Sequence, residues 1–235
     1  TLGIIGRTGS GKSTIANLIC RLYDLNNGTI QINSKEINEF NLFSLRAKIG
    51  YIPQDVFLFS DTIKNNILFG IENDNIDAEL VINAAKQAQI HEDIMDFPEK
   101  YNTKIGERGI TLSGGQKQRI SIARALIRKP DVLILDDCLS AVDTETEDKI
   151  LKNLYSNVKS DITVIIGHRI SSVSSANQII VLEKGSIVEN GNHSELIKKQ
   201  GYYYEIHKKQ LMEKKQWFVW VSFAIRKELS KLHSN

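Results

Sequence analysis

Between residues 6 and 14 the chain reads Gly6-Arg7-Thr8-Gly9-Ser10-Gly11-Lys12-Ser13-Thr14, a set of residue types suited to gripping phosphate. Glycines let the backbone turn tightly enough for successive N–H groups to face one anion. A helix starting near Lys12 adds the positive end of its dipole. Lys12 can then reach β and γ phosphates, and the Ser13 hydroxyl can ligate Mg²⁺. Further along, Asp136 closes the apolar run Val132-Leu133-Ile134-Leu135. A carboxylate at the carboxyl end of a parallel strand lies where α/β sheets place ligands, so Asp136 is expected to hold Mg²⁺ directly or through water. A third element, Leu112-Ser113-Gly114-Gly115-Gln116, opens a helix. There the backbone N–H groups of Gly114 and Gly115 and the Ser113 hydroxyl make a second anion site with no lysine of its own. Together these residues imply binding of a nucleoside triphosphate.

The elements that must position them are legible in outline. Residues 2–5 read as a buried strand running into the glycine loop, and residues 12–22 as a helix with Ile15, Leu18, Ile19 and Leu22 on one face. Asn26-Asn27-Gly28 is a turn before an alternating strand at 29–32. A short helix at 42–48 leads to a strand at 49–52, cut off by Pro53. Residues 55–129 look mainly helical, most clearly at 78–90 and 116–128. After Pro130 come a buried strand at 132–135, a helix at 144–154, strands at 162–166 and 178–182, and a hairpin turn at 183–186 into 187–188. Continuous apolar runs of this kind belong to parallel strands covered on both faces. The expected fold class is therefore α/β, a sheet with crossover helices interrupted by a helical insertion.

The whole chain has 235 residues and a net charge of +2. That gives no global signal for nucleic acid, and no basic groove with stacking aromatics is evident. Residues 196–235 are basic and the rest is net negative. Cys20 and Cys138 lie far apart without metal-ligand spacing, which makes a reduced cytosolic setting the default. No apolar run reaches the roughly 18 residues that a membrane span needs. The strand at residue 2 is already under way, so a longer parent on the N-terminal side is expected.

With Leu112–Gln116 in place, the chain resembles the nucleotide-binding domain of ABC transporters over about residues 1–210. Its glycine loop matches Walker A, Gln54 the Q-loop glutamine and Leu112–Gln116 the signature. Val132–Asp136 matches Walker B, Ser140-Ala141-Val142-Asp143 the D-loop, and His168 the switch histidine. The resemblance implies a P-loop NTPase (RecA-like) core at 1–54 and 130–210 with a mainly parallel sheet. It implies a helical signature subdomain at 55–129 and leaves 211–235 as an unassigned tail. It further implies ATP and Mg²⁺ as cofactors, with Ser13, Gln54 and Asp136 around the metal and Asp137, His168 and Gln54 around the chemistry. Ser113, Gly114, Gly115 and Gln116 would cover the γ-phosphate of a second nucleotide-binding domain, in a homo- or heterodimer stacked head to tail. A transmembrane domain on the same parent chain is the other implied partner, which places the protein at the cytoplasmic face of the inner membrane.

Thr103-Lys104-Ile105-Gly106-Glu107-Arg108-Gly109 is similar to the X-loop of ABC exporters, and residues 59–67 have the same cast. Importer ATPases usually lack that element, and soluble ABC ATPases of DNA repair insert long coiled coils that have no counterpart here. Three departures stand out. The residue after the Walker B aspartate is Asp137 where the family has Glu, so the carboxylate reaches about 1.5 Å less far. A slow site of the kind found in one half of heterodimeric exporters is expected, with a working homodimer as the rival reading. The family's upstream antiparallel strands, one of which carries an adenine-stacking aromatic, are largely missing. Finally, Trp217–Ile225 is an apolar stretch of about half a span, expected to pack on the domain or stay without fixed structure rather than lie on a membrane surface.

Overall fold

A computed structural model describes residues 1–71, 76–106, 110–157 and 160–213. In chain order the elements are β1 (Leu2–Gly6), α1 (Lys12–Ile19), β2 (Gln31–Ile32), β3 (Lys35–Glu36), α2 (Leu42–Ala47) and β4 (Ile49–Ile52). Then come α3 (Ile63–Leu68), α4 (Ala78–Gln87), α5 (His91–Met95) and α6 (Gly114–Leu126). The second half holds β5 (Val132–Asp136), α7 (Thr144–Asn157), β6 (Ile162–Gly167), α8 (Ile170–Val173), β7 (Gln178–Glu183), β8 (Ser186–Gly191) and α9 (His193–Lys199). A last helix, α10, covers residues 202–213.

The apolar runs assemble into one six-stranded sheet in the order β4-β5-β6-β1-β7-β8. Its first five strands are parallel, and β8 closes the edge antiparallel to β7. This is the mainly parallel α/β architecture expected from the sequence. Because strand residues alternate between faces, neighbours such as Ile4 and Ile5 serve different cores. Ile4, Ile134, Val164 and Ile166 pack with Ala16 and Cys20 of α1 and Leu45 of α2. Ile5, Leu133, Leu135 and Ile165 pack with α3–α6, α7 and α8 on the other side. The order also puts β1 between β6 and β7 while β4 and β5 lie beyond β6, so the carboxyl ends of β1, β5 and β6 open side by side.

Two local expectations change. Helix α1 stops at Ile19, where a longer helix was expected, and its fully buried residue is Ala16, while Leu22 is 50% exposed. Arg21 adopts a left-handed backbone (φ 49) and its guanidinium donates to the carbonyls of Ile37 and Phe40, which turns the chain away from the helix axis. The strand at 29–32 shrinks to β2, paired only with the two residues of β3, too small a ribbon to extend itself. Residues 107–109 of the X-loop-like element and the apolar stretch 217–225 lie outside the described residues. Among the described residues, no helix is long and apolar enough to cross a membrane.

Candidate functional site

The phosphate loop joins β1 to α1, and its end is set by Gly11, whose φ of 97 is the conformation that favours glycine. No side chain caps α1 there, so the first N–H groups of the helix keep their donor capacity. Lys12 folds back over the loop, its Nζ donating to the carbonyls of Gly6 at 2.8 Å and Arg7 at 2.9 Å. Burial pulls the ammonium below its ordinary pKa, while the nearby Asp137 and Asp136 carboxylates push it back up. Ser10 is buried, and its hydroxyl has no partner among the described residues.

β5 delivers Asp136 to the same place. The Ser13 hydroxyl donates to Asp136 Oδ1 at 3.0 Å, and the Tyr51 hydroxyl donates to Asp136 Oδ2 at 3.2 Å. Burial, and then the Asp136 charge, raises the Tyr51 pKa, so its hydroxyl remains a donor to that carboxylate. Asp137 has a left-handed backbone (φ 48), and its N–H donates to Ile166 O at 2.8 Å, tying the end of β5 to β6. His168 follows directly after β6, and its Nδ1 lies 2.9 Å from Asp137 Oδ1. The cleft formed here has a volume of about 260 Å³ and is lined by Thr8, Gly9, Gly11, Lys12, Ser13 and Thr14 of the loop with Gln54, Asp136, Asp137 and His168. Four separate segments thus meet at one place.

Ser113, Gly114, Gly115 and Gln116 are not among the residues lining that cleft. They begin α6 with a capping box, in which Gln116 N–H donates to Ser113 Oγ at 3.2 Å and Ser113 N–H donates to Gln116 Oε1 at 3.0 Å. Behind it, Arg119 pairs with both Asp93 oxygens at 2.7 and 2.9 Å. Burial raises the Asp93 pKa, but hydrogen bonds from Arg119 and Gln116 outweigh it and hold the carboxyl below its usual range. A Cβ on Gly115 would meet Ala141 O at 2.9 Å, so glycine is what lets α6 approach the turn after β5. Asp143 also lies outside the cleft; its carboxylate accepts from Thr146 N–H at 2.9 Å at the start of α7, and that bond lowers its pKa.

Sequence reasoning missed several contacts. Tyr51 on Asp136 is one, and buried Gln118 is another. Gln118 accepts from Ala141 N–H at 3.0 Å and donates to Ser140 Oγ at 3.4 Å, linking α6 to the turn that follows Asp137. Arg169, next in sequence to His168, spans Glu147 (2.8 Å) and Ser140 O (3.1 Å). A polar hydroxyl inside an apolar strand was the available signal for Tyr51; Gln118, between Lys117 and Arg119, and Arg169 offered none. The cysteines take no part, since both are buried, and burial pushes the Cys20 thiol up to about 11.

Residues 1–140 match the family model described as ABC transporter. Over 210 residues (89% of this chain, 36% of the relative) the chain is 49% identical to an uncharacterized ABC transporter ATP-binding protein, YfiB, of Bacillus subtilis. It is 47% identical over 207 residues, 88% of this chain and 36% of the relative, to a putative multidrug export ATP-binding/permease protein of Staphylococcus aureus. Among solved structures, a bacterial Atm1-family ABC exporter with ATP bound superposes with a TM-score of 0.83 at 42% identity, covering 89% of this chain and 36% of that one. The chain thus spans about a third of the length of the proteins it matches.

Proposed function

The chain belongs to the ABC transporter family, and from that footing we propose that it is the ATP-hydrolysing domain of an exporter. The observation that carries this reading is the meeting of Lys12, Ser13, Gln54, Asp136, Asp137 and His168 in one cleft. Loop N–H groups and Lys12 would hold the phosphates of ATP. Ser13 and Asp136, 3.0 Å apart, are hard oxygen donors that suit Mg²⁺, which takes one or two protein oxygens and completes its shell with water and phosphate. When bound there, Mg²⁺ would neutralise charge on the β and γ phosphates. The names of the staphylococcal and Atm1-family relatives support the exporter assignment. The division into a core at 1–54 and 130–210 and a helical subdomain at 55–129 follows the same reading.

Because Ser113–Gln116 lie away from their own chain's cleft, the complete site is a composite. A second nucleotide-binding domain, stacked head to tail, brings its signature over the γ-phosphate, and ATP closes the pair. The transmembrane domain docks on the helical side, where Phe57, Phe59 and Phe69 are 67, 37 and 51% exposed. Arg124, which donates to Phe57 O, Asn66 O and Asn66 Oδ1, braces that surface. This arrangement puts the domain at the cytoplasmic face of a membrane.

Asp137 sets the rate. Its carboxylate is about 1.5 Å short of where a glutamate would reach, and a positioning error of about 1 Å can cost on the order of 100-fold. The chain's own site is therefore slow, and its signature serves a faster site on a different partner chain. MgATP turnover of wild type and Asp137→Glu, measured side by side, tests this. A gain of about tenfold or more is expected in the variant; wild-type turnover of about 1 s⁻¹ or faster, within the usual enzyme range, would refute the slow site. The 2.9 Å contact between Asp137 and His168 favours the second reading, a homodimer in which the shorter carboxylate still orients water through the histidine.

A further inference from the structure

Helix α10 touches the surroundings of the cleft at two places. Near its start, the Arg7 guanidinium of the phosphate loop lies 5.5 Å over the Tyr202 ring. Two turns later, Gln210 Nε2 donates to His168 O at 2.7 Å, while Gln210 Oε1 accepts from Ile170 N–H at 2.9 Å. One side-chain amide thus holds the backbone on both sides of Arg169. Ile170 begins α8, whose N-cap residue Arg169 supplies no side-chain cap. Gln210 provides from 40 residues away the acceptor that this helix start lacks locally.

The helix is itself firmly seated. Tyr203 is fully buried, with its hydroxyl 2.8 Å from His193 Nδ1. The Glu189 carboxylate accepts from the N–H groups of Tyr202 and Tyr203, the latter at 3.2 Å. His168, by contrast, has a side chain 52% exposed, with Asp137 as the described partner of its ring. Its position is therefore set by the backbone that carries it, and that backbone is what Gln210 grips.

We propose that Gln210 is a positioning residue for His168, through which α10 fixes the histidine against Asp137 and the phosphate cleft. The inference rests on reading His168 as a member of the ATP site. It is tested on the full chain with Gln210→Met, which removes both hydrogen bonds at similar size, and Gln210→Glu, which keeps the acceptor for Ile170 and removes the donor to His168. Amide exchange by NMR should show Ile170 exchanging roughly fivefold faster in the Met variant, the loss of one net hydrogen bond, with Tyr203 unchanged. In the Glu variant Ile170 should stay protected. MgATP turnover, followed in the wild-type and Asp137→Glu backgrounds, should fall roughly three- to tenfold in kcat for both Gln210 variants, with KM within about twofold. Unchanged Ile170 exchange in the Met variant, unchanged kcat in both variants, or a raised KM at constant kcat would overturn the proposal while leaving the ATP site intact. Absence of turnover in both backgrounds before Gln210 is touched would refute the reading of the site itself, and the catalytic role of the clamp with it.

Discussion

Two helix starts in this molecule present backbone N–H groups suited to an anion, and they are built in opposite ways. Helix α1 begins at a left-handed glycine with no side-chain cap, and Lys12 is folded over the loop in front of it. Helix α6 begins with a closed capping box, braced from behind by Asp93 and Arg119, and brings no lysine. The first holds its donors open and supplies a cation within the same chain. The second has already satisfied part of its end internally, which makes it rigid but leaves it weak as a binding site by itself. On the function proposed above the two starts take different tasks: α1 would grip phosphate, and α6 would meet phosphate that a partner domain already grips.

The largest expected effect comes from removing the cation that separates them. Lys12→Ala should weaken MgATP binding to the isolated chain by about 2–3 kcal/mol, the scale of hydrogen bonds to a charged group, or roughly 30- to 150-fold. Isothermal titration measures it. A loss of less than about threefold would mean that the open helix start, not the lysine, does the gripping, and the contrast with α6 would collapse.

A smaller effect probes the other end. Gly115→Ala puts a Cβ 2.9 Å from Ala141 O, a backbone atom with little room to yield. Alanine favours a helix over glycine by about 1 kcal/mol, so overall stability should change little while the start of α6 shifts. ATP-dependent dimerisation, followed by sedimentation velocity, should weaken about tenfold, and ATP affinity of the monomer should change by less than about twofold. Equal losses in both would show that the two helix starts act on one nucleotide within a single chain.

How far the sequence revealed these structures depended on whether the cause was local. The phosphate loop was legible because each of its residues acts within a few positions of itself, and Asp136 because a strand end fixes it. The start of α6 was legible for the same reason, since Ser113 and Gln116 cap each other. The end of α1 was not, because periodicity counted Leu22 as part of a buried face while a left-handed Arg21 stopped the helix. Tyr51 on Asp136 joins residues 85 positions apart, and Gln210 on His168 joins residues 42 apart. Such contacts depend on strand order and on where α10 docks, and no local pattern encodes either. The apolar tail at 217–225 stays outside the comparison, beyond the described residues.

The smallest effect separates the two helix starts by their dependence on α10. That helix meets the α1 side through Arg7 and Tyr202 and the histidine turn through Gln210, and its base rests on His193, which shares a hydrogen bond with Tyr203 and lies against His207 with ring centroids 5.6 Å apart. Burial, and then the charge of His207, lowers the His193 pKa below 6.5. The fold therefore favours the neutral ring. The unfolded chain takes up the proton first as pH falls, so the stabilisation is whole above about 6.5, declines below it, and is gone once pH passes beneath the folded value. Between pH 7.5 and 5.5, amide exchange corrected for intrinsic rates should rise at Tyr203 and Ile170 and stay level at Gln116. Substituting His193→Gln, which cannot charge, should remove that pH dependence. If Gln116 loosens in step with Ile170, the signature helix and the histidine turn open as one unit, and the two helix starts are not independent parts of the site.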